Sequence, residues 1–130
     1  MPSRDLKDAH TSIVAMYLGS ATTFATRYPT LPQPFVTCTH RTKDEQKKLY
    51  AQGRTAAGPI VTWTLNSRHN SYPSEAIDIA FKNSEGKLDW SPHLFQKFAA
   101  IVKEQYKSID WGGDWKAGKK DLPHFELRRS

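Results

Sequence analysis

The sequence predicts a small α+β domain, with a central, mainly antiparallel sheet packed by about three helices. Three observations lead there. Ala76-Ile77-Asp78-Ile79-Ala80-Phe81 alternates with a two-residue period, the pattern of a half-buried strand, and other short β-rich segments lie on either side of it. Segments of helical periodicity separate the strands. Finally, 130 residues with 38% hydrophobic and 12% aromatic content suffice for one core, so residues 1–130 read as a single domain.

The elements follow in order. Leu6, Ile13, Met16, Tyr17 and Phe24 recur at helical spacing, so a first helix is expected, capped by Ser3 and stopped before Pro29. Pro32 and Pro34 keep the next loop extended, and Phe35–Thr39 reads as a strand. Thr42 and Glu45 form a capping box for a helix that Gly53 ends. Ala57-Gly58-Pro59 is a turn, and Ile60–Leu65 is β-rich enough to predict another strand. In the 76–81 strand Ile77, Ile79 and Phe81 share one face, while Asp78 lies on the other between alanines that leave space over it. Residues 83–87 form a turn. Ser91-Pro92 starts a helix with the buried stripe Leu94, Phe95, Phe98, Ile101, Val102 and Tyr106. Ile109–Trp111 and His124–Leu127 close the sheet, with His124 and Glu126 opposite Phe125 and Leu127.

Composition narrows the function classes. A lone cysteine, Cys38, excludes an internal disulfide framework and any multi-cysteine zinc site, and in its strand it reads as buried and inert. No apolar run approaches the roughly 20 residues of a membrane span. Asp5 and Asp8 among Arg4 and Lys7 argue against a signal peptide. The net charge of +6 suits a polyanionic partner, yet the basic residues are scattered and no nucleic-acid-binding signature surrounds them.

The polar groups that the strands aim together are His69, Asp78 and His124. Two imidazoles and one carboxylate are a complete protein ligand set for a catalytic zinc on the open sheet face, with Asp121 three residues before His124 as a proton acceptor. The same residue types also make ordinary capping pairs, or the facial triad of an iron oxygenase, which normally needs a larger barrel. Spacing alone leaves these open.

Ser67-Arg68-His69-Asn70 with Pro73-Ser74-Glu75-Ala76-Ile77-Asp78 resembles the first zinc signature of the LAS metallopeptidases, and Asp121-Leu122-Pro123-His124-Phe125-Glu126 resembles the second. That family comprises D-Ala-D-Ala carboxypeptidases and dipeptidases and L-alanyl-D-glutamate endopeptidases. Arg41-Thr42, Glu45-Gln46, Leu49-Tyr50, Gln52-Gly53-Arg54-Thr55 and residues 110–115 are similar to its endopeptidase branch. The resemblance spans roughly residues 35 to 127. It implies His69, Asp78 and His124 as ligands of one zinc per chain, Asp121 as catalytic base, and Arg41 as the cation that polarises the scissile carbonyl. A surface salt bridge is the plainer role for Arg41. Ser67 would orient His69 or substrate, Glu126 would support His124, and Trp111 and Trp115 are groove residues or core.

The activity implied is a zinc-dependent cut between L-Ala and D-Glu of the peptidoglycan stem peptide. The long Asn70–Ser74 segment is similar to phage-type members, which implies an endolysin for host lysis, held in the host cytoplasm until release to the periplasm and cell wall. Nucleic acid and stable membrane insertion are not expected, and the chain is expected to be a monomer. D-alanyl-D-alanine carboxypeptidase or dipeptidase activity, or a virion-associated murein-binding domain, are the alternatives. His40 stands where an aromatic is more usual, and His10 and His93 lie outside the motifs and are expected to be exposed.

Overall fold

The computed structural model describes residues 2–128. Its elements run α1 (Thr11–Arg27), β1 (Gln33–Cys38), α2 (Lys43–Ala51), β2 (Ala76–Lys82), β3 (Leu88–Asp89), α3 (Pro92–Gln105), β4 (Ile109–Trp111) and β5 (His124–Leu127), with short 3-10 turns at Leu6–Asp8, Arg68–Asn70 and Gly112–Asp114. The sheet has the order β1-β2-β5-β4, β3 pairs with the far end of β2, and every pairing is antiparallel. The expected α+β architecture with three helices is therefore the one observed.

Strand alternation divides the sheet into a core face and an open face. Ile77, Ile79 and Phe81 of β2 and Phe125 of β5 are fully buried against Ile13, Met16 and Phe24 of α1 and Leu94, Phe95, Phe98, Ile101 and Val102 of α3. Phe81 is the hub, meeting the Phe95 ring edge-on at 4.9 Å and the Phe24 ring at 5.5 Å. No residue of α2 belongs to this cluster; the helix stands over the open face instead. Its Thr42–Glu45 capping box is formed in both directions, and Gly53 follows it at φ +81°, a left-handed conformation that favours glycine.

Three expectations need correction. The first helix begins at Thr11, with the His10 ring accepting the Ser12 N–H at 3.0 Å, so His10 is a half-buried cap. Ser3 instead donates to Asp8 at 2.6 Å and accepts from the Asp5 N–H. The β1 strand starts at Gln33 and includes Pro34, which an edge strand tolerates because its missing N–H breaks no interior ladder. The predicted 60–65 strand does not form. Among the described residues no strand pairs with it, and Ile60, Val61, Trp63 and Leu65 are 43–52% exposed on an irregular segment that walls the pocket described below. The expected start of α3 at Ser91-Pro92 is the one observed, and Asp89 steadies it, since the Asp89 carboxylate accepts both the N–H and the hydroxyl of Ser91 while the Ser91 side chain makes no cap bond.

Truncation of the hub should be costly. Phe81→Ala removes the ring around which the aromatic core is built and is expected to destabilise the fold by about 3–5 kcal/mol in urea denaturation. A loss below about 1 kcal/mol would mean that the core does not close around this ring.

Candidate metal centre

The strand register builds the centre. Asp78 of β2 lies directly opposite His124 of β5, both on the open face. A bulge in β1 between Val36 and Cys38 brings Cys38 opposite Asp78 from the other side. His69 arrives on the 68–70 turn, where the Ser67 hydroxyl accepts its N–H at 3.1 Å and the Asn70 side chain returns to the Ser67 N–H. The Asn70 amide also donates to the Arg41 carbonyl, and the Arg41 N–H to the His69 carbonyl, so the two segments are sewn together.

Asp78 Oδ1 lies 3.2 Å from His69 Nε2 and 3.0 Å from His124 Nδ1. Each imidazole is fixed through its other nitrogen. His69 Nδ1 is 2.6 Å from the Thr39 carbonyl, which can only accept, so that nitrogen carries hydrogen and Nε2 points to Asp78. His124 Nε2 is 2.7 Å from Glu126 Oε1, which leaves Nδ1 for Asp78. Arg68 holds Glu126 at 3.6 Å and Glu75 at 3.1 Å. The outward nitrogens are thus presented by partners that suit metal-binding histidines.

Electrostatics agrees. Burial opposes charge on both rings, yet the Asp78 carboxylate overrides it, and the pKa is pushed up to about 10 at His69 and about 9 at His124. Burial works against the Asp78 charge too, but the two histidines hold its carboxyl well below the usual range. Two imidazolium protons facing one carboxylate carry the positive charge that a divalent cation supplies when both rings are neutral. His69 Nε2, Asp78 and His124 Nδ1 therefore fit a zinc. A second combination, Cys38 with His69 and Asp78, also has its ligand atoms within 4.8 Å. It is the poorer donor set, because the His69 nitrogen near Cys38 Sγ, at 3.6 Å, is the one committed to Thr39.

Asp121 joins the centre from the segment before β5. One of its carboxylate oxygens, one from Asp78 and a ring nitrogen of His124 all lie within 4.8 Å of one another. Burial and the Asp78 charge push its carboxyl pKa up, as suits a group that must take and return a proton. Close approach fixes this segment: the Asp121 N–H bonds to the Gly112 carbonyl at 3.0 Å, and a Cβ on Gly112 would collide with the Asp121 carbonyl. Trp111 serves the same end. Rather than lining the groove, its indole N–H donates to the Leu122 carbonyl at 2.8 Å and its ring stacks on Phe125. Trp115 does line the pocket, 5.1 Å from the His124 ring.

Arg41 is not a surface ion pair. It lies in the pocket wall, 3.7 Å from Asp78 Oδ2, and donates to Gln46 Oε1 at 2.8 Å and Cys38 Sγ at 3.6 Å. Its Nε is buried without a hydrogen-bond partner among the described residues. Gln46 and Cys38 are the positioning residues that sequence reasoning missed. Gln46 is fully buried and ties Arg41 to the pocket wall through the Thr64 carbonyl at 2.6 Å; its place in the Glu45-Gln46 motif was the available signal. His40 stays outside the pocket, edge-on to Tyr72 at 5.2 Å, and His93 is exposed. His69, Asp78, Asp121 and His124, with Arg41, Arg68, Trp115 and Glu126, line a cavity of about 810 Å³.

The charge arrangement makes the metal-free protein pH-sensitive in a defined direction. The raised histidine pKa values contribute stability that is present below about pH 6.5 and lost as pH rises towards 9–10. The lowered Asp78 pKa contributes stability present above about pH 3.8 and lost on acidification. Chelator-treated protein should therefore show its highest denaturation midpoint between these limits; an unchanged midpoint from pH 6.5 to 9 would contradict the Asp78–imidazolium pairing.

Residues 61–127 match the M15 peptidase family described as D-alanyl-D-alanine carboxypeptidase. The peptidoglycan L-alanyl-D-glutamate endopeptidase CwlK of Bacillus subtilis (strain 168) is 33% identical over 96 residues, 67% of this chain and 56% of CwlK. The chain thus spans a little over half the length of that curated relative. The crystal structure of Serratia marcescens L-Ala D-Glu endopeptidase ChiX is similar with a TM-score of 0.69 and 25% identity, over 98% of this chain and 88% of ChiX. Because the family match takes in more than half of the chain and every residue from His69 to His124 that builds the centre, the chain belongs to the M15 peptidases, the group its two signatures resemble.

Proposed function

We propose that the chain is a zinc-dependent peptidoglycan endopeptidase that cuts the stem peptide between L-Ala and D-Glu, with one zinc per chain held by His69, Asp78 and His124. The observation that carries this reading is the convergence of His69 Nε2 and His124 Nδ1 on Asp78 with Asp121 beside them. The choice of bond rests on the names of CwlK and ChiX.

When bound, zinc would polarise the scissile carbonyl and make the attacking water more acidic. The residues of the chain do the rest. Asp121 takes the proton of the attacking water and returns it to the departing amine nitrogen, a double duty that its raised pKa favours. Arg41, fixed by Gln46, offers a permanent positive charge to the oxygen on which negative charge develops. Thr39 and Glu126 keep the histidines in the tautomers that the ligand role needs.

The biological role we assign is host lysis by a phage enzyme held in the host cytoplasm until release to the wall. Its supports are the long 70–74 segment and the net charge of +6, which favours adsorption to an anionic envelope. The family description favours one alternative, trimming of terminal D-alanine. Mass spectrometry of digested murein separates them: the proposed cut frees the stem from its L-Ala, whereas a carboxypeptidase releases only D-Ala.

Asp121→Asn keeps size and hydrogen bonding but cannot accept a proton. The variant is expected to fold, retain about one zinc per chain and lose roughly 10²–10⁴-fold in rate on murein. Asp78→Asn should instead weaken zinc retention. Near-full activity of Asp121→Asn would overturn the assigned proton path.

A further inference from the structure

The two walls of the pocket differ in chemistry. Leu49, Ile60, Val61 and Trp63 form an apolar side, and Lys116, Lys119 and Lys120 stand on the segment leading into Asp121. The charges deeper in the pocket are largely matched: Arg41 lies against Asp78, and Arg68 and His124 against Glu126. The three lysines are exposed, and among the described residues none has a carboxylate within ion-pair distance. They add to the pocket lining, beside Asp121, a positive field from three lysines without an ion-pair partner among the described residues.

That field has a place in the reaction proposed above, on which this inference rests. Asp121 serves the departing nitrogen, and Lys119 and Lys120 immediately precede it in the chain. In a stem peptide the carbon next to that nitrogen, in D-Glu, bears the free α-carboxylate, because D-Glu continues the chain through its side-chain carboxyl. Some walls carry this group as a carboxamide. We propose that Lys116, Lys119 and Lys120 read the α-carboxylate of D-Glu, so that the enzyme selects stems in which this residue is not amidated. The L-Ala side, with its methyl group, then lies toward the Ile60–Trp63 wall, and the two walls together set the direction in which the peptide is bound.

The test uses two soluble stem peptides that differ only in D-Glu against D-isoglutamine, assayed with the zinc-loaded protein. The free acid should be preferred about five-fold in kcat/KM, the size of one solvent-exposed ion pair, through KM and not kcat. The preference should shrink as salt shortens the electrostatic reach to about 8 Å at physiological ionic strength and less beyond it. Lys116→Gln, Lys119→Gln and Lys120→Gln combined should abolish the preference, bringing kcat/KM for the free acid down to that for the amidated peptide. The same charge loss outside the pocket, by Lys43→Gln, Lys47→Gln and Lys87→Gln, should preserve it. Equal cleavage of both peptides by the unaltered protein, or a preference that survives the pocket substitutions, would overturn the role of the lysines alone. Cleavage of neither peptide at the L-Ala–D-Glu bond would overturn the functional reading beneath it.

Discussion

The Asp78 carboxylate is a charge withdrawn from bulk water in the middle of a sheet, and such a charge is tolerated only with close, well-oriented partners. It has three: His69 Nε2 at 3.2 Å, His124 Nδ1 at 3.0 Å and the Arg41 guanidinium at 3.7 Å. They come from a turn, a neighbouring strand and the loop after β1, so the carboxylate can be satisfied only when segments distant in sequence are in register. The same demand prepares the metal centre, since a group of donors held around one carboxylate is also a group held around a cation.

The architecture meets that demand by separating its two faces. The aromatic core under β2 and β5 fixes the sheet, and a slip of one residue in either strand would send Asp78 or His124 into the Phe81–Phe125 layer. On the open face the supporting contacts are polar and specific. Thr39 orients one histidine and Glu126 the other, Gln46 steadies Arg41, and the close approach of Gly112 fixes the segment that carries Asp121. Stability thus resides on one side of the sheet and chemistry on the other, with β2 common to both.

The legible parts of the fold were those governed by local periodicity or local capping. The 76–81 alternation placed Asp78 opposite the core, the alternation of β5 put His124 and Glu126 on one face, and Thr42–Glu45 marked α2, because each of these depends on neighbours in the chain. The 60–65 segment departs from its expected strand for the complementary reason. Its β-branched and aromatic residues satisfy strand propensity, but propensity does not supply a partner strand, and here the apolar side chains wall a pocket. The two-residue β3 is too short to leave a pattern. The bulge that carries Cys38 to Asp78, the Gln46 link and the contact of Trp111 with Leu122 are tertiary facts that no spacing rule encodes. The order of two signatures marks His69, Asp78, Asp121 and His124 in the sequence; their orientation is a property of the three-dimensional fold.

The central claim is that the cation belongs to His69, Asp78 and His124, with Cys38 left as a partner of Arg41. Zinc-edge X-ray absorption on the loaded protein addresses it directly, because sulfur and imidazole ligands scatter differently and at different distances. The account predicts about two imidazoles with oxygen completing the shell at about 2.0–2.2 Å and no sulfur. A sulfur shell at about 2.3 Å would place the metal on Cys38 and contradict it.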